Sequence, residues 1–190
     1  MRYLILLTAL CLLVACQQSP QKRYYVLSST TTATANTGQA ISSLVGIGPI
    51  EIADYLKRPN MVRMRNNNSL NLTTNDYWAE PLNKGITRIL ALNLTQHNPA
   101  RMVQEFPWRR DSIPPYSLRV QIHELVLSER NARINASWEL MDVTKKSSLK
   151  REHFVRSLNA GTSAADMAEA YSELLGQLAE EMNTALVAVE

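Results

Sequence analysis

Histidine and cysteine are the residue types whose chemistry is easiest to recognise, and this chain has three histidines and two cysteines. His97, His123 and His153 lie in separate predicted elements, and none has an acidic residue at metal-ligand spacing. A protein-bound zinc ion needs several ligands that converge on it. His123 and His153 fall on neighbouring predicted strands and could meet, but two imidazoles alone form no zinc site. We therefore expect ordinary surface histidines, with no metal and no cofactor.

The sequence motifs of common enzymes are also missing. The chain has no Gly-x-Ser-x-Gly elbow, no phosphate-binding loop and no dinucleotide fingerprint, and its six glycines are not grouped around a helix start. A serine nucleophile whose partners are distant in the sequence stays open, although no pattern favours one. These observations give no support for catalysis, and we expect a protein that is not an enzyme.

Cys16 is the residue with the most specific chemistry, because of what precedes it. Residues 3–15 are apolar and follow a basic residue, which is typical of a secretory signal and too short for a membrane-spanning helix of roughly 17–25 residues. Leu13, Ala15 and Cys16 resemble the bacterial lipobox, where a peptidase cleaves before the cysteine and the new N-terminus receives lipid. We expect a lipoprotein signal peptide at 1–15 and lipidation of Cys16. The alternative is an ordinary signal peptide that contains a cysteine.

The sequence after Cys16 predicts where the protein is held. Residues 16–23 form a short lipid-anchored tether, which spans at most roughly 25 Å at about 3.3–3.6 Å per residue, so the domain must sit close to its membrane. Each buried methylene of an acyl chain adds about 0.8 kcal/mol of membrane affinity, and three chains make release negligible. Gln17 follows the cysteine, whereas an aspartate there resembles the inner-membrane retention signal of enterobacteria. Gln17 therefore favours the periplasmic face of the outer membrane over the inner membrane.

Length and composition indicate that residues 24–190 form a single periplasmic domain. This length is sufficient for a substantial hydrophobic core. Both cysteines precede the domain, so it has no thiol for a disulfide or a thiolate metal site. The chain carries 20 basic and 17 acidic residues, and no run of like charges forms a basic stripe. We expect no nucleic-acid partner.

Hydrophobic periodicity predicts an α+β fold, with a largely antiparallel or mixed sheet and two amphipathic helices packed on one face. Residues 132–140 alternate between apolar and polar side chains, as in a sheet that is covered on one side, and a slip of phase in the preceding strand indicates a bulge. Gly46 and Gly48 indicate a bulge or a close backbone approach, and Pro49 suggests an edge strand or a strand end. Strands are predicted at 24–27, 44–52, 118–127, 132–140 and 148–158, a hairpin at 61–73, and a mobile loop at 28–40.

The two helices are predicted with different precision. The first spans roughly 76–97 by its apolar spacing, and an Asn-Pro pair ends it. Pro81 lies inside this range, so the helix either begins near Ala79 or is kinked there. The second helix begins after Ser163, which forms a capping box with Asp166, and continues with one apolar stripe to the end of the chain.

Two aromatic clusters are candidate contact sites, and the first is the segment NDYWAEPLNKG. Asn75 or Asp76 can cap the first helix. Tyr77 and Trp78 can form a hydrophobic staple, and Glu80 suits the positive end of the helix dipole. This structural interpretation is sufficient by itself. The functional alternative is a contact site for a partner chain.

The second cluster is EFPWRRDSIPPY, where Trp108 is followed by Arg109 and Arg110 between prolines. One interpretation is a connection between strands with a solvated pair of charges. Tryptophan and arginine are also favoured at protein interfaces, and the two arginines could face anionic headgroups. Both interpretations stay open.

The order of these segments resembles a known family. The lipobox is followed by YYVLSS, VGIGPIEIADYLKRPNMVRM, NDYWAEPLNKGITRILALNL and FPW, an order that resembles the PqiC-like family of ABC-type transport auxiliary lipoproteins. The similarity of motifs spans about residues 13–110. WAEPL at 78–82 is its most specific piece, and DYLKRPNMV at 54–62 is the next. The threonine-rich insert at 30–37 departs from the shorter connection expected in the family.

The resemblance implies a non-enzymatic periplasmic component. Members are similar to the outer-membrane partner of MCE-type systems, in which an ABC permease, an ATPase and MCE-domain proteins move phospholipid between the membranes. The PqiC type resembles a ring-forming homo-oligomer that docks on the tip of an MCE tunnel. Trp78, Glu80 and Pro81 are carried over as family-motif positions rather than as known ligand contacts. A small-ligand-binding envelope lipoprotein is the alternative function, and an envelope enzyme is the third. The candidate partner or oligomer interface comprises Tyr77, Trp78, Glu80, Pro81, Trp108, Arg109 and Arg110.

Overall fold

The structure, a computed structural model, describes residues 20–30, 42–65 and 68–190. The signal peptide, Cys16 and half of the predicted tether lie outside the described residues, as does most of the predicted loop at 28–40. The division of the chain into signal, tether and domain therefore stays a prediction.

Eight strands and two helices form an α+β domain in the described part of the chain, which confirms the predicted fold class. The strands are β1 (Arg23–Tyr25), β2 (Ser43–Ile52), β3 (Asn60–Arg65), β4 (Ser69–Trp78), β5 (Arg101–Glu105), β6 (Tyr116–Ser128), β7 (Asn131–Asp142) and β8 (Ser147–Asn159). The helices are α1 (Leu82–His97) and α2 (Ala164–Val187), with a short 3-10 turn at Asp54–Leu56. Neither of these two helices is both long and apolar enough to cross a membrane.

The strands form one mixed sheet that is organised around β6. β7 pairs antiparallel with β6 along nearly its whole length, and β8 pairs antiparallel with β7. On the other side of β6, β2 runs parallel to its first half, and β3 meets it where Met64 pairs with Ser128. β5 extends the sheet beyond β2, whereas β4 and β1 extend it beyond β3. β2 and β3 therefore continue the sheet at different ends of β6.

Both helices pack on one face of the sheet, where the alternating pattern places apolar side chains. α1 lies against β2 and β5, α2 lies against β7 and β8, and the helices contact each other. The residues that intervene on β7 are partly or fully exposed, as expected for a sheet that is covered on a single side. The inward side chains of β7 are at most 1% exposed: Ala132, Ile134, Ala136, Trp138 and Leu140.

Several predicted boundaries are confirmed. The Ser163 side chain accepts a hydrogen bond from the Asp166 backbone at 3.0 Å, and Asp166 accepts one from the Ser163 backbone at 2.8 Å. These hydrogen bonds hold the pKa of Asp166 below its usual value. The predicted hairpin is β3–β4, and Asn68 in its turn adopts a φ of 59°, the left-handed conformation that asparagine tolerates. The phase slip in β6 is a bulge between Ile122 and Glu124.

The predicted start of the first helix is wrong. α1 begins at Leu82 with Pro81 at its N-cap, and residues 75–78 belong to β4. Asp76 caps no helix, because its carboxylate accepts hydrogen bonds from Arg23 Nε at 2.7 Å and from a tyrosine of β1. Trp78 forms no staple at a helix start and packs in the core instead. The cause is the pairing of β1 with β4, which holds this segment extended.

The predictions around β2 are partly confirmed. A bulge separates Ile47 from Ile50, and Gly48 adopts a φ of 110°, a conformation that glycine accepts without strain. Pro49 does not end the strand, because β2 continues to Ile52 along β6, but the pairing of β2 with β5 stops at Ile47, so Pro49 stands where β2 becomes an edge of the sheet. The bulge accommodates a residue that cannot donate to the ladder. β5 itself was not predicted, since its five residues carry only a weak alternation.

Candidate interaction site

The predicted interface residues fall in two separate places. Residues 77–81 form the junction between β4 and α1, beside β1, and β4 joins the sheet through β3 at the end of β6. Trp108 and the two arginines belong to the connection between β5 and β6, which we call the outer loop (residues 106–115). This loop covers Gly46, which pairs with Ser117 near the start of β6. The structure therefore does not bring the two clusters together.

Trp78 is a core residue at the end of β4. Its side chain is 6% exposed and stacks on Tyr171 of α2, with ring centroids 6.1 Å apart. Its backbone N–H donates to the Pro59 carbonyl at 2.8 Å, and the next N–H donates to the Tyr25 carbonyl at 2.9 Å. Tyr171 is itself fully buried, and this burial raises the pKa of its hydroxyl. Trp78 therefore packs on the core side of the junction between β4 and α1 and presents little surface to a partner.

Glu80 holds a basic residue that sequence reasoning missed. Arg88 of α1 donates from Nη2 to Glu80 Oε1 at 2.6 Å and from Nε to the same oxygen at 3.1 Å. The same Nη2 donates to the Leu27 carbonyl at 3.1 Å. Gly85 leaves room for this arrangement, since a β-carbon there would stand 3.3 Å from Glu80 Oε1. We call Glu80, Arg88 and Leu27 the N-terminal clamp. Glu80 therefore forms an ion pair with Arg88, a role that differs from the predicted interaction with the helix dipole.

The residues that follow Leu27 are tied to both helices. The Ser28 backbone N–H donates to Ser172 Oγ of α2 at 3.0 Å. The Ser29 hydroxyl lies 2.5 Å from the side-chain oxygens of Asn93 and Gln96 on α1. Together with the N-terminal clamp, these contacts fix the start of the domain to its core.

Tyr77 and Pro81 remain accessible at this junction. Pro81 is exposed at the helix N-cap, and Tyr77 is half-buried with its hydroxyl donating to the Thr74 carbonyl at 2.9 Å. The Tyr77 ring packs against Tyr24 of β1, with centroids 5.8 Å apart, and Lys22 Nζ lies 5.4 Å from the Tyr77 centroid. These contacts make an exposed aromatic and cationic surface directly beside the start of the domain.

Trp108 anchors the outer loop on the uncovered face of the sheet. A β-carbon at Gly46 would lie 2.6 Å from a Trp108 ring carbon and 2.8 Å from a Pro114 ring carbon, so the loop packs where only glycine leaves space. Trp108 Nε1 donates to the Gln104 carbonyl at 3.2 Å, and Phe106 meets the Trp108 ring edge-on at 5.1 Å. The predicted close backbone approach at Gly46 is confirmed.

The outer loop presents both apolar and basic groups to solvent. Phe106 is 44% exposed and Ile113 is 57% exposed. Arg109 forms a two-point ion pair with Asp111 at 2.7 and 3.0 Å, which lowers the pKa of the Asp111 carboxyl. Arg110 is exposed, and no carboxylate in the described part of the chain pairs with it. The loop therefore combines the residue types that are common in protein interfaces.

A groove of about 540 Å³ with both apolar and charged lining residues lies beside the outer loop, on the same face of the sheet. Phe106 and Pro49 line it, together with charged residues of four strands. Arg151 Nη2 lies 2.6 Å from Glu139 Oε1, and hydrogen bonds from Ser148 and then Arg151 lower the pKa of Glu139. The remaining charged and polar lining is contributed by Glu51, Arg119, Gln121 and Ser137.

The histidines lie where the sequence suggested, with one difference. His123 and His153 are exposed on the uncovered sheet face, with ring centroids 6.1 Å apart, and His123 Nε2 lies 2.8 Å from Ser137 Oγ. His97 is half-buried at the end of α1 rather than on the surface. Among residues 20–30, 42–65 and 68–190, no three histidine, cysteine or acidic side chains gather closely enough to hold a metal ion.

The substitution Gly46→Ala tests whether the outer loop packs directly against the backbone of β2. We expect Gly46→Ala to lower the free energy of unfolding by about 1–3 kcal/mol, because overpacking forces the Trp108 ring outward. Trp108→Ala removes most of the obstacle, so Gly46→Ala should cost much less in that background. Urea unfolding of the four proteins in detergent measures this coupling. Strictly additive losses would contradict the contact.

The fold and these two surfaces define a class: an α+β domain with one mixed sheet, two helices on one face and an N-terminal strand that is tied to its core. The model of the family described as the ABC-type transport auxiliary lipoprotein component matches residues 25–183. The chain belongs to this PqiC-like family. The match begins at the last residue of β1 and includes the N-terminal clamp and the outer loop, and it confirms the predicted resemblance.

Solved structures support the same fold. An uncharacterized protein of known crystal structure has a TM-score of 0.72 and 18% identity, with 88% of this chain and 99% of that chain covered. Protein XCC0632 from Xanthomonas campestris has a TM-score of 0.68 and 15% identity, with 85% and 92% covered. The hypothetical protein CT253 from Chlamydia trachomatis has a TM-score of 0.53 and 8% identity, with 77% and 99% covered. At these identities the similarity shows the fold alone. No curated protein sequence matches the chain.

Proposed function

We propose that this chain is a lipid-anchored, non-enzymatic auxiliary component of an ABC/MCE-type system that moves phospholipid between the inner and outer membranes. Acylation at Cys16 holds it on the periplasmic face of the outer membrane. It acts as a homo-oligomer and binds an MCE-domain protein that is linked to an ABC permease and ATPase. The observation that carries this proposal is membership of the transport auxiliary lipoprotein family over residues 25–183.

The N-terminal clamp supports an anchored role. A lipid anchor controls the position of a domain only if the chain after it is firmly attached to the core. Arg88 bridges Glu80 and the Leu27 carbonyl, and Ser28 and Ser29 contact both helices. The short predicted tether then keeps the domain within roughly 25 Å of the lipid. A domain held in this way can present a fixed surface to a periplasmic partner.

The outer loop supports the docking of a protein partner. Phe106 and Ile113 are exposed, and Trp108 is positioned beneath them by its contact with Gly46. Such a preformed aromatic surface binds at a lower entropic cost than a flexible one. Arg110 adds a cation that no described carboxylate neutralises. We therefore assign the MCE-domain contact to the outer loop rather than to Trp78.

Photo-cross-linking in intact cells tests the proposed function. A benzoylphenylalanine at Ile113 should capture an MCE-domain protein, whereas the same group at Leu149, which is 42% exposed on β8, should not. The purified acylated protein should have a native mass of two or more protomers. Cys16→Ala should release the protein from the membrane and abolish capture. Full transport activity of a soluble Cys16→Ala protein would contradict the proposal.

A second function, the binding of a small ligand, is favoured by the groove beside the outer loop. Its volume of about 540 Å³ lies within the range of ligand sites. Its lining combines the exposed Phe106 ring with charged side chains of both signs. A monomer in mild detergent that binds a small polar molecule saturably, with affinity lost in Arg119→Ala, would support this function instead.

A further inference from the structure

Lys22, Tyr24, Val26 and Tyr77 form an exposed surface that we call the β1 face. Tyr24 is 62% exposed and Val26 is 51% exposed. Tyr24 and Tyr77 are directly paired across β1 and β4, and their rings pack at 5.8 Å. Lys22 Nζ lies 5.4 Å from the centre of the Tyr77 ring. The surface is thus built from two aromatic rings, one aliphatic side chain and one cation.

The segment of chain that leads into the β1 face is basic, and Glu169 of α2 is the acidic residue that lines a groove together with Tyr24 and Val26. Residues 17–26 contain two basic residues and no acidic residue. Asp76, from the adjacent strand, already accepts hydrogen bonds from Arg23 at 2.7 Å and from the Tyr25 hydroxyl at 3.3 Å. Within the described ranges no carboxylate pairs with Lys22, whose ammonium contacts only the Tyr77 ring. The face can therefore meet an anionic surface without losing an ion pair.

We propose that the β1 face lies directly on the lipid surface that holds the anchor; this inference rests on acylation of Cys16 in the proposed function. Lys22 stands six positions after Cys16, a distance of roughly 20 Å at full extension. Tyrosine rings favour the headgroup region of a bilayer, where one end is apolar and the other is hydrated. A lysine next to them extends its ammonium toward anionic headgroups.

This contact sets the orientation of the whole domain. The N-terminal clamp fixes β1 to the core through Glu80, Arg88 and the Leu27 carbonyl. β1 and β4 belong to the part of the sheet that meets the end of β6, whereas the outer loop covers the strand that pairs with its start. A domain seated on the β1 face therefore leaves the outer loop available to a partner in the periplasm.

Site-specific fluorescence on the acylated protein tests the contact. Lipidation of Cys16 leaves the mature chain with no free thiol, so Val26→Cys or Leu149→Cys introduces a unique site for an NBD label. Leu149 is the matched control, because it is 42% exposed on β8. Each labelled protein is reconstituted in vesicles of phosphatidylethanolamine and phosphatidylglycerol, with or without lipid that carries a nitroxide on its acyl chain. Flotation with the vesicles first establishes that the anchor is present.

The label at position 26 should be blue-shifted and quenched several-fold more strongly by nitroxide-labelled lipid than the label at position 149. Lys22→Glu combined with Tyr24→Ser should reduce this quenching toward the level at 149, whereas Lys146→Glu, a matched exposed change in the β7–β8 turn, should leave it unchanged. Protein that fails to float would overturn the proposed anchor. Floating protein with equal quenching at both positions would overturn the β1 face alone. If the label at position 26 is blue-shifted only when a second protein molecule is present, and lipid does not quench it, then the β1 face contacts protein. That result would also overturn the proposal that the face lies on lipid.

Discussion

We expect Trp78→Ala to lower the free energy of unfolding by about 3–5 kcal/mol, as large-to-small substitutions of buried aromatics do. Trp78 is 6% exposed and stacks on the fully buried Tyr171, so its removal leaves a cavity between β4 and α2. The stability of a whole domain is about 5–15 kcal/mol. Urea unfolding of the acylated protein in detergent, followed by circular dichroism, measures the loss.

Two further variants make this prediction specific. Trp78→Phe keeps an aromatic ring against Tyr171 and should lose much less stability than the alanine variant. Trp108→Ala is the matched tryptophan control: its side chain is only half-buried, on the other face of the sheet. We expect it to weaken cross-linking from the outer loop while the core stays folded. A loss at Trp78 no greater than that at Trp108 would contradict the placement of Trp78 in the core.

The contrast between these tryptophans shows what sequence reasoning could and could not predict. The sequence places Trp78 in a motif, but a sequence does not show which side of a junction a ring faces. Its burial depends on α2, whose contact residue Tyr171 is 93 positions later (171 − 78). Gly46 was different, because glycine within a strand indicates a close approach whatever the partner. The approaching residue proved to be Trp108.

Local periodicity predicted β6, β7 and α2 well because each is long and covered on one side. The same reasoning extended the first helix too far toward the N-terminus. Asn75 and Asp76 are good capping residues, but the pairing of Asp76 with Arg23, 53 positions earlier, and of Tyr77 with Asn60 on β3 draws this segment into a strand. β5 is stabilised by parallel pairing with β2, another non-local contact that no short window contains. Both errors arose because long-range strand pairing, rather than intrinsic propensity, determines the structure of these segments.

Because the sequence did not predict β5, it also did not predict that Arg101 is buried. Substitutions at the ion pair of Arg101 are expected to have the second large effect on stability. Its side chain is fully buried at the start of β5, where Nη2 lies 2.6 Å and Nε 2.9 Å from the two carboxylate oxygens of Glu190. Nη1 donates to Asn183 Oδ1 at 2.8 Å and to the Leu94 carbonyl at 3.2 Å. This guanidinium therefore connects β5 to both helices.

We expect Glu190→Ala to lower the free energy of unfolding by about 3 kcal/mol at neutral pH, because it leaves the buried guanidinium of Arg101 without its counter-charge. Replacing both groups, as in Arg101→Met with Glu190→Ala, should recover much of this loss, since no unpaired charge is then buried. Urea unfolding of the single and double variants measures the coupling between the two residues. A double variant that is less stable than the sum of the single losses would contradict this role.

The ion pair between Arg101 and Glu190 also makes the free energy of unfolding depend on pH. The hydrogen bonds from Arg101 lower the pKa of Glu190 below its usual value of 4.5. A carboxyl whose pKa is lower in the folded state stabilises the fold above its unfolded pKa, and this contribution is lost as the pH falls through the folded pKa. The difference in stability between the unaltered protein and Glu190→Gln should therefore be constant near neutral pH and shrink below about pH 4.5. Other carboxyls with lowered pKa values affect both proteins equally, so a difference that stays constant down to pH 3 would show that Arg101 does not depend on the Glu190 charge.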